Sequence, residues 1–301
     1  MIFHMITQCT RLALTVAGIF SMATGAHAQG HYVPGVEGME SGTVPPPGFY
    51  YAGYWVNYRI GSMRAPGTDT NLPGSNKATI TALTNRFIWV QKVDFLGADW
   101  GMDLIVPVAR SSFRMDTLGL RENHSGVGDV YVSPLGLAWH GDRWDAGVQL
   151  GLWLDSASAD GPADIGKGFK TWMLSAGATY YFDTAKTWSV AAMTRTERNG
   201  RNDQGFRNGN QFTVEWALGK RFGVMQAGLV GYSQVQVSHD SGLGASQKKG
   251  SRHGLGVEFN YAFPAQKINL KTAVYKDYGV EAGTGPQPSG STLRLALYKA
   301  F

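Results

Sequence analysis

The chain ends with Ser291-Thr-Leu-Arg-Leu-Ala-Leu-Tyr-Lys-Ala-Phe301, a stretch in which leucine occupies every second position from 293 to 297. Strict alternation of apolar and other residues is the period of a β-strand whose two faces meet different surroundings. A strand at the end of a chain would leave an unpaired edge, which invites aggregation. We therefore expect this strand to pair with the first strand of the chain and to close a barrel.

The same strand resembles the closing strand and assembly signal of bacterial outer-membrane barrels, because its last residue, Phe301, is aromatic. Lys299 departs from that pattern, since it shares a face with Leu297 and Phe301, where those proteins usually carry an apolar residue. A lysine near the membrane boundary can extend its amine into the headgroup region, so the departure costs little.

The N-terminus and the composition favour an exported β-protein. The 301 residues include 40 Gly, 9 Trp, 13 Tyr and 14 Phe, and only 16% are charged. Residues 1–28 contain Arg11, an apolar core and Ala26-His27-Ala28, which is the layout of a secretory signal peptide cleaved after Ala28. Cleavage would remove the only cysteine, Cys9, and lower the formal net charge from +5 to +4. That charge is too small to indicate nucleic-acid binding.

The remaining sequence predicts an all-β protein with about twelve antiparallel strands. It lacks the 18 or so consecutive apolar residues of a transmembrane helix. Residues 29–47 are proline-rich and have no periodic pattern. The strand-like runs after them are 48–60, 78–94, 98–114, 126–139, 142–155, 171–182, 186–198, 210–222, 224–238, 251–263, 267–278 and 291–301. Pro134 is expected to mark a bulge in the fourth of these strands.

The connections between these runs alternate between long and short, as they do in transmembrane barrels with short periplasmic turns and long extracellular loops. Aromatic residues also collect at the short-turn ends, where they predict a girdle at the membrane boundary. These residues are Trp100, Trp139, Trp144, Phe182, Trp188, Phe222, Phe263 and Phe301. The sequence thus divides into a signal peptide (1–28), a proline-rich periplasmic or plug segment (29–47) and a transmembrane β-barrel of the outer membrane (48–301).

Several stretches resemble the MetA-pathway phenol-degradation family of outer-membrane barrels. They are His31-Tyr-Val-Pro-Gly-Val-Glu-Gly38, Pro45-Pro-Pro-Gly-Phe-Tyr50, Gly128-Asp-Val-Tyr-Val-Ser-Pro-Leu-Gly-Leu137, Trp139-His-Gly-Asp142, Tyr180-Tyr-Phe-Asp183 and Lys220-Arg221. The resemblance covers essentially the whole mature chain. It implies uptake of aromatic or other hydrophobic compounds, and it brings no catalytic residues.

The residues themselves indicate no metal, cofactor or catalytic site. No pair of histidines has the spacing of metal ligands, and no nucleophile elbow or nucleotide-binding loop is present. A membrane-embedded enzyme would need a His/Ser pair at the outer rim, for which His239 and Ser241 are the residues to consider.

The residues expected to line the lumen, and any substrate pathway through it, are those in the polar phase of the strands. They are Glu215, Arg221, Tyr232, Gln234, Gln236, Glu258, Lys271, Tyr275, Arg294 and Tyr298, with Asp277 in the same phase. Paired charges that merely fill and stiffen a barrel are the alternative interpretation of this set.

These observations predict an outer-membrane channel or transporter for small hydrophobic or aromatic compounds. Its partners would be the lipid bilayer, the small solute and, through the strand ending at Phe301, the outer-membrane assembly machinery. The alternatives are a membrane-embedded enzyme acting on lipid and a structural or adhesive barrel. Two finer expectations concern the lumen: residues 31–47 fold into or across it, and a two-residue turn at Pro264-Ala265 places Glu258 opposite Lys271.

Overall fold

The structure, a computed structural model, describes residues 30–39 and 41–301. The predicted signal peptide, residues 1–28, lies outside the described residues. Across the described ranges, no helix is both long enough and apolar enough to cross a membrane. These ranges contain two short 3-10 helices between strands, Asp116–Leu118 and Pro264–Gln266. The strands are β1 Gly48–Arg64, β2 Asn76–Phe95, β3 Ala98–Met115, β4 Leu120–Val127, β5 Tyr131–His140, β6 Trp144–Trp153, β7 Thr171–Tyr181, β8 Trp188–Asn199, β9 Gln211–Phe222, β10 Met225–Gln236, β11 Ser251–Phe263, β12 Ile268–Glu281 and β13 Gln287–Ala300.

The strands form one closed antiparallel barrel. β1 pairs with β13 from Tyr50 opposite Ala300 to Arg64 opposite Gln287, so the last strand closes the sheet against the first. β4 and β5 pair one after the other with β3, and together they occupy one strand position. The barrel therefore has twelve strand positions, as predicted. We call its two ends the short-turn end and the long-loop end.

The extent predicted for the fourth strand, 126–139, is wrong. The chain instead forms β4, leaves the sheet at residues 128–130 and re-enters it as β5. The loop between β6 and β7 stabilises this break. The Asp129 carboxylate accepts backbone N–H bonds from three residues of that loop, Ser156, Ala157 and Lys167, at 2.8 to 3.0 Å. The polar residues 121–125 of β4 carry no apolar face, so no period-two contrast marks them as a strand. The predicted bulge at Pro134 is confirmed by the register shift there between β5 and β6.

The two faces of the barrel differ in the sense expected for a membrane protein. In β11, Leu255, Val257 and Phe259 point outward and are about half exposed, whereas the alternate residues Glu258 and Asn260 are buried. Apolar residues on the outside and polar residues on the inside are the pattern of a lipid-facing barrel. The core of the molecule is therefore the lumen.

Aromatic side chains surround the short-turn end, as the sequence predicts. Trp144, Trp188, Phe222, Phe263 and Phe301 are exposed on the outer surface at strand ends. Amphipathic and aromatic rings prefer the interface between lipid and water. This ring of side chains marks the position of one membrane boundary.

The register predicted for β11 and β12 is wrong by two residues. Glu258 lies opposite Ala273, and Lys271 lies opposite Asn260. The turn contains four residues: Pro264 starts a 3-10 turn, and Lys267 ends it in the left-handed region with φ 51°. A two-residue hairpin turn needs positive φ at its first central residue, which the ring of Pro264 forbids. The shift of two preserves the faces, so Glu258 and Lys271 still point inward.

Candidate functional site: the lumen and the segment inside it

The residues predicted to line the lumen point into the barrel. Eight are buried, while Arg221 and Tyr298 are partly exposed. The buried residues are Glu215, Tyr232, Gln234, Gln236, Glu258, Lys271, Tyr275 and Arg294. Their part in a substrate pathway stays a prediction.

Most of these side chains contact residues 30–39 and 41–47, which we call the inner segment. The segment begins near the long-loop end, where the backbone N–H groups of His31 and Tyr32 donate to Glu197 Oε1 at 2.8 and 2.9 Å. It runs through the lumen to the short-turn end, where the Tyr50 hydroxyl donates to the carbonyl of Pro46 at 2.6 Å. The inner segment therefore follows the length of the barrel.

The carboxylate of Glu215 holds the first part of the inner segment. It accepts the backbone N–H of Gly35 at 2.9 Å and a hydrogen bond from the hydroxyl of Tyr32. The ring of Tyr32 lies beneath the guanidinium of Arg195, whose central carbon is 4.0 Å from the ring centroid. A cation over an aromatic face is an attractive arrangement that strengthens when both groups are removed from water.

Glu37 is the charged centre of the inner segment. Its Oε1 accepts from Arg86 Nη1 at 3.0 Å and from Arg195 Nη2 at 2.7 Å. Arg86 also pairs with Asp103, at 2.5 Å from Nη2 to Oδ2. Buried charges are costly unless they are paired, and this network pairs Glu37 and Asp103 with arginines while it joins the segment to β2, β3 and β8.

Residues 35–39 of the inner segment are also held by strands β11, β12 and β13. The backbone N–H of Met39 donates to Glu258 at 3.3 Å, and Lys271 Nζ donates to the carbonyl of Met39 at 3.4 Å. Arg294 donates to the carbonyl of Gly35 at 3.0 Å and forms an ion pair with Glu258. The segment and the wall thus satisfy each other's polar groups.

Small residues let residues 42–44 of the inner segment lie directly against the inner face of the barrel. A Cβ atom added to Gly42 would clash with the backbone of Ala178 in β7. One added to Gly147 in β6 would lie 2.7 Å from the side chain of Val44. Thr43 donates to Thr179 at 3.0 Å. The contacts at Gly42 and Gly147 require glycine, because a larger side chain at either position would push the inner segment away from the barrel.

His31 anchors the inner segment near the long-loop end of the barrel. The two ring nitrogens of His31 lie 2.9 Å from Thr171 Oγ1 and 3.1 Å from Asp129 Oδ2. The ring stacks on Trp153, with centroids 5.5 Å apart. Asp129 therefore joins the inner segment, the break between β4 and β5, and the following loop in one hydrogen-bonded cluster. The Thr171 hydroxyl donates to Asn199 at 2.8 Å and has no exposed surface.

Among the described residues, no hydrogen bond joins the side chains of His239 and Ser241, the pair that the sequence offers for a membrane-embedded enzyme. His239 is exposed, and Ser241 exchanges two backbone hydrogen bonds with Arg207, at 2.8 and 2.9 Å.

Sequence reasoning missed the most highly charged part of the lumen, formed by Glu37, Arg86, Asp103, Arg195 and Glu197. In β8 the apolar residues Trp188, Val190 and Ala192 set the outward phase. Extending that phase along the strand would have placed Arg195 and Glu197 inside. The signal is weak because residues 194–198 are polar at every position, so no contrast separates the faces.

A cavity of about 430 Å³ lies beside the inner segment on the short-turn side of Glu37. It reaches from Arg86 and Arg195 to Pro264 and Lys267 in the turn between β11 and β12. A cavity of this size is within the range of small-molecule binding sites.

A solved structure shares this architecture. The crystal structure of the COG4313 outer membrane channel from Pseudomonas putida F1 is 18% identical to the chain and has a TM-score of 0.73. The match covers 90% of this chain and all of that one. The P. putida toluene transporter TodX is 9% identical with a TM-score of 0.47, covering 86% of this chain and 91% of that one. The first likeness shows the fold, which is that of an outer-membrane barrel.

No curated protein matches the chain. Residues 61–295, however, match the family described as "Putative MetA-pathway of phenol degradation", and the chain therefore belongs to that family.

Proposed function

We propose that the protein is an outer-membrane channel or transporter for the uptake of small hydrophobic or aromatic, phenol-like compounds. The observation that carries this proposal is a lipid-facing barrel whose polar lumen holds a cavity of about 430 Å³ reaching the short-turn end. The family's description, which refers to phenol degradation, supports an aromatic solute. The lumen residues from Glu215 to Tyr298 would form the pathway.

The inner segment would act as a plug. Glu37 and the backbone from Tyr32 to Met39 are held by ion pairs and hydrogen bonds from seven strands, β2 and β8 to β13. A segment held so widely would narrow the lumen to the space that it leaves on one side. Passage of a solute would then require movement of the segment or travel beside it.

The C-terminal strand would also serve as the assembly signal. Phe301 is exposed at the short-turn end, where its backbone N–H donates to the carbonyl of Phe49 at 3.1 Å. The residue is therefore available at the seam where β13 meets β1. That position suits a signal read before the seam closes.

We assign the protein no catalytic role. The arrangement Thr171–His31–Asp129 contains the residue types of a nucleophilic triad, but the hydroxyl of Thr171 is buried and donates to Asn199. A nucleophile must reach its substrate, and this one cannot. The cluster is better explained as the attachment of the plug near the long-loop end.

A structural barrel is the second candidate, and the charge-paired interior favours it. The ion pairs around Glu37 and Glu258 could serve only to stiffen a sealed barrel. The two candidates differ in one measurable property, since only a channel passes solute.

Liposome swelling separates them. We expect liposomes that contain the protein to admit resorcinol several times faster than protein-free liposomes of the same lipid. The matched solute is erythritol, a non-aromatic polyol of similar size, which should enter more slowly than resorcinol. Resorcinol entry equal to the protein-free background, in wild type and in a variant that lacks residues 31–39, would contradict the proposal and favour the structural barrel.

A further inference from the structure

Four glycines of the strands line the cavity beside the plug, and two of them, Gly147 and Gly177, also pack against the inner segment. Gly101 of β3, Gly136 of β5, and Gly147 and Gly177 of the next two strands line it. A Cβ atom added to Gly101 would make only ordinary van der Waals contacts, the nearest at 3.7 Å, so a side chain can be placed at this position. Ile88, Val90 and Met193 add apolar surface. One side of the cavity is therefore smooth and apolar, which suits a flat ring.

A row of polar side chains crosses the inner end of this cavity. Gln149, Ser175 and Arg195 are directly opposite one another on β6, β7 and β8, and Gln149 Nε2 donates to Asp103 Oδ2 at 3.1 Å. Neighbours in such a row have Cβ atoms about 5 Å apart, close enough to contact one small ligand.

Two of these residues carry hydrogen-bond donors that no atom of the described residues accepts. These donors are Ser175 Oγ and Arg195 Nε, which are buried, and each residue is only 5% exposed. Both residues line the cavity. A buried donor without a partner costs free energy, so a ligand that accepts from both would be bound tightly.

The charges around the cavity favour an anion. The described residues that line it include five cations and two acids: Arg86, Arg195, Lys267, Lys271 and Lys299 against Glu37 and Asp103. Lys267 and Lys299 lie at the short-turn end, where they would attract an anionic solute toward the mouth. Tyr50, Phe263 and Tyr298 supply aromatic surface near the same mouth.

We propose that this cavity binds a small aromatic carboxylate. Its two oxygens would accept from Ser175 Oγ and Arg195 Nε, and its ring would lie on the glycine-lined wall. A carboxylate fits these donors better than a neutral hydroxyl does, because charged acceptors form the stronger hydrogen bonds. The proposal rests on the proposed function and narrows it from small aromatic compounds to anionic ones.

Calorimetric titration of the detergent-solubilised protein tests the site, with benzoate and its neutral isostere benzamide as the probes. We expect benzoate to bind at least tenfold more tightly than benzamide. Ser175→Ala should weaken benzoate binding about tenfold, since it removes one hydrogen bond to a charged group without touching the ion pair of Glu37. Ser189→Ala is the matched control, because Ser189 is a buried inward serine that does not line the cavity.

A second variant fills the cavity instead of changing its polarity. Gly101→Leu should abolish benzoate binding while the barrel keeps the wild-type shift in gel mobility on heating. Equal affinity for benzoate and benzamide, or unchanged benzoate binding in Ser175→Ala, would overturn the proposal. Resorcinol entry without benzoate binding would contradict only this site, whereas benzoate binding without entry of any aromatic solute would contradict only the proposed function.

Discussion

Arg294 of β13 reaches across β12 to form an ion pair with Glu258 of β11, and both side chains are completely buried. The two residues do not adjoin: Ala273 lies between them, opposite each. The small side chain of Ala273 leaves the space through which the guanidinium passes. The same two residues also hold the backbone of the inner segment at Gly35 and Met39.

We predict that Arg294→Ala destabilises the barrel more than the double change Arg294→Ala with Glu258→Ala. Removing one partner leaves a buried charge without compensation, which typically costs about 3–5 kcal/mol, whereas removing both does not. The measurement is the fraction of protein folded in detergent against urea concentration, read from gel mobility with and without heating. Arg198→Ala, which removes an exposed arginine on the outside of β8, should change little. Strictly additive losses would contradict a direct interaction.

Gly38 offers a way to displace the inner segment with one atom. It has φ 66°, and an added Cβ would clash with the carboxylate of Glu258. We predict that Gly38→Ala raises single-channel conductance. Gly97→Ala is the matched control, because Gly97 has φ 72° and open space around it. Both changes carry the left-handed penalty of about 1–2 kcal/mol, but equal conductance of the two variants would count against displacement of the segment.

His31 should determine how firmly the inner segment is held near the long-loop end. His31→Ala removes the hydrogen bonds to Asp129 and Thr171 and the stacking on Trp153. Lost hydrogen bonds of this kind are worth about 1–3 kcal/mol, so amide hydrogen exchange over residues 31–39 should accelerate about tenfold. His253→Ala, which removes a histidine bonded to Ser233 within the wall, is the control. Unchanged exchange in His31→Ala would show that the histidine does not anchor the segment.

Phe301 should matter for assembly more than for stability. We predict that Phe301→Ala lowers the amount of heat-modifiable barrel recovered from the outer membrane of expressing cells. Refolding of the same variant into detergent should be close to wild type, because the side chain is 68% exposed and its ring packs on the exposed ring of Phe49, while the backbone bond to Phe49 is kept. Phe263→Ala removes another aromatic ring at the short-turn end and is the control. Equal cellular yields of the two variants would argue against a signal at the C-terminus.

The fold could be predicted because the membrane imposes a simple rule on every strand. Leu293, Leu295 and Leu297 face outward together, and the same alternation locates most of the other strands to within a few residues. The rule fails where lipid is not the neighbour. β4 has polar residues on both faces, and residues 194–198 of β8 do as well. Neither stretch alternates between apolar and polar residues, so its sequence does not show which face points outward.

The site was harder to predict because its contacts join distant parts of the chain. The sequence predicts that Glu258 meets Lys271 across a tight turn, but the ring of Pro264 excludes the turn that this register needs. The ion pair with Arg294 depends on the space left by Ala273, which no local pattern reveals. Glu37 meets Arg86 and Arg195 only because the inner segment lies in the lumen, so periodicity in the strands carries no information about it.

Single-channel recording in planar bilayers tests the central claim most directly, by comparing wild type with a variant that lacks residues 31–39. The inner segment occupies part of the lumen, where it is held by Glu215, Glu258 and the two arginines Arg86 and Arg195. If the barrel is a channel that this segment narrows, the shortened variant will conduct substantially more current per channel than wild type while keeping the same heat-dependent gel mobility. Equal conductance of the two folded proteins would contradict the account.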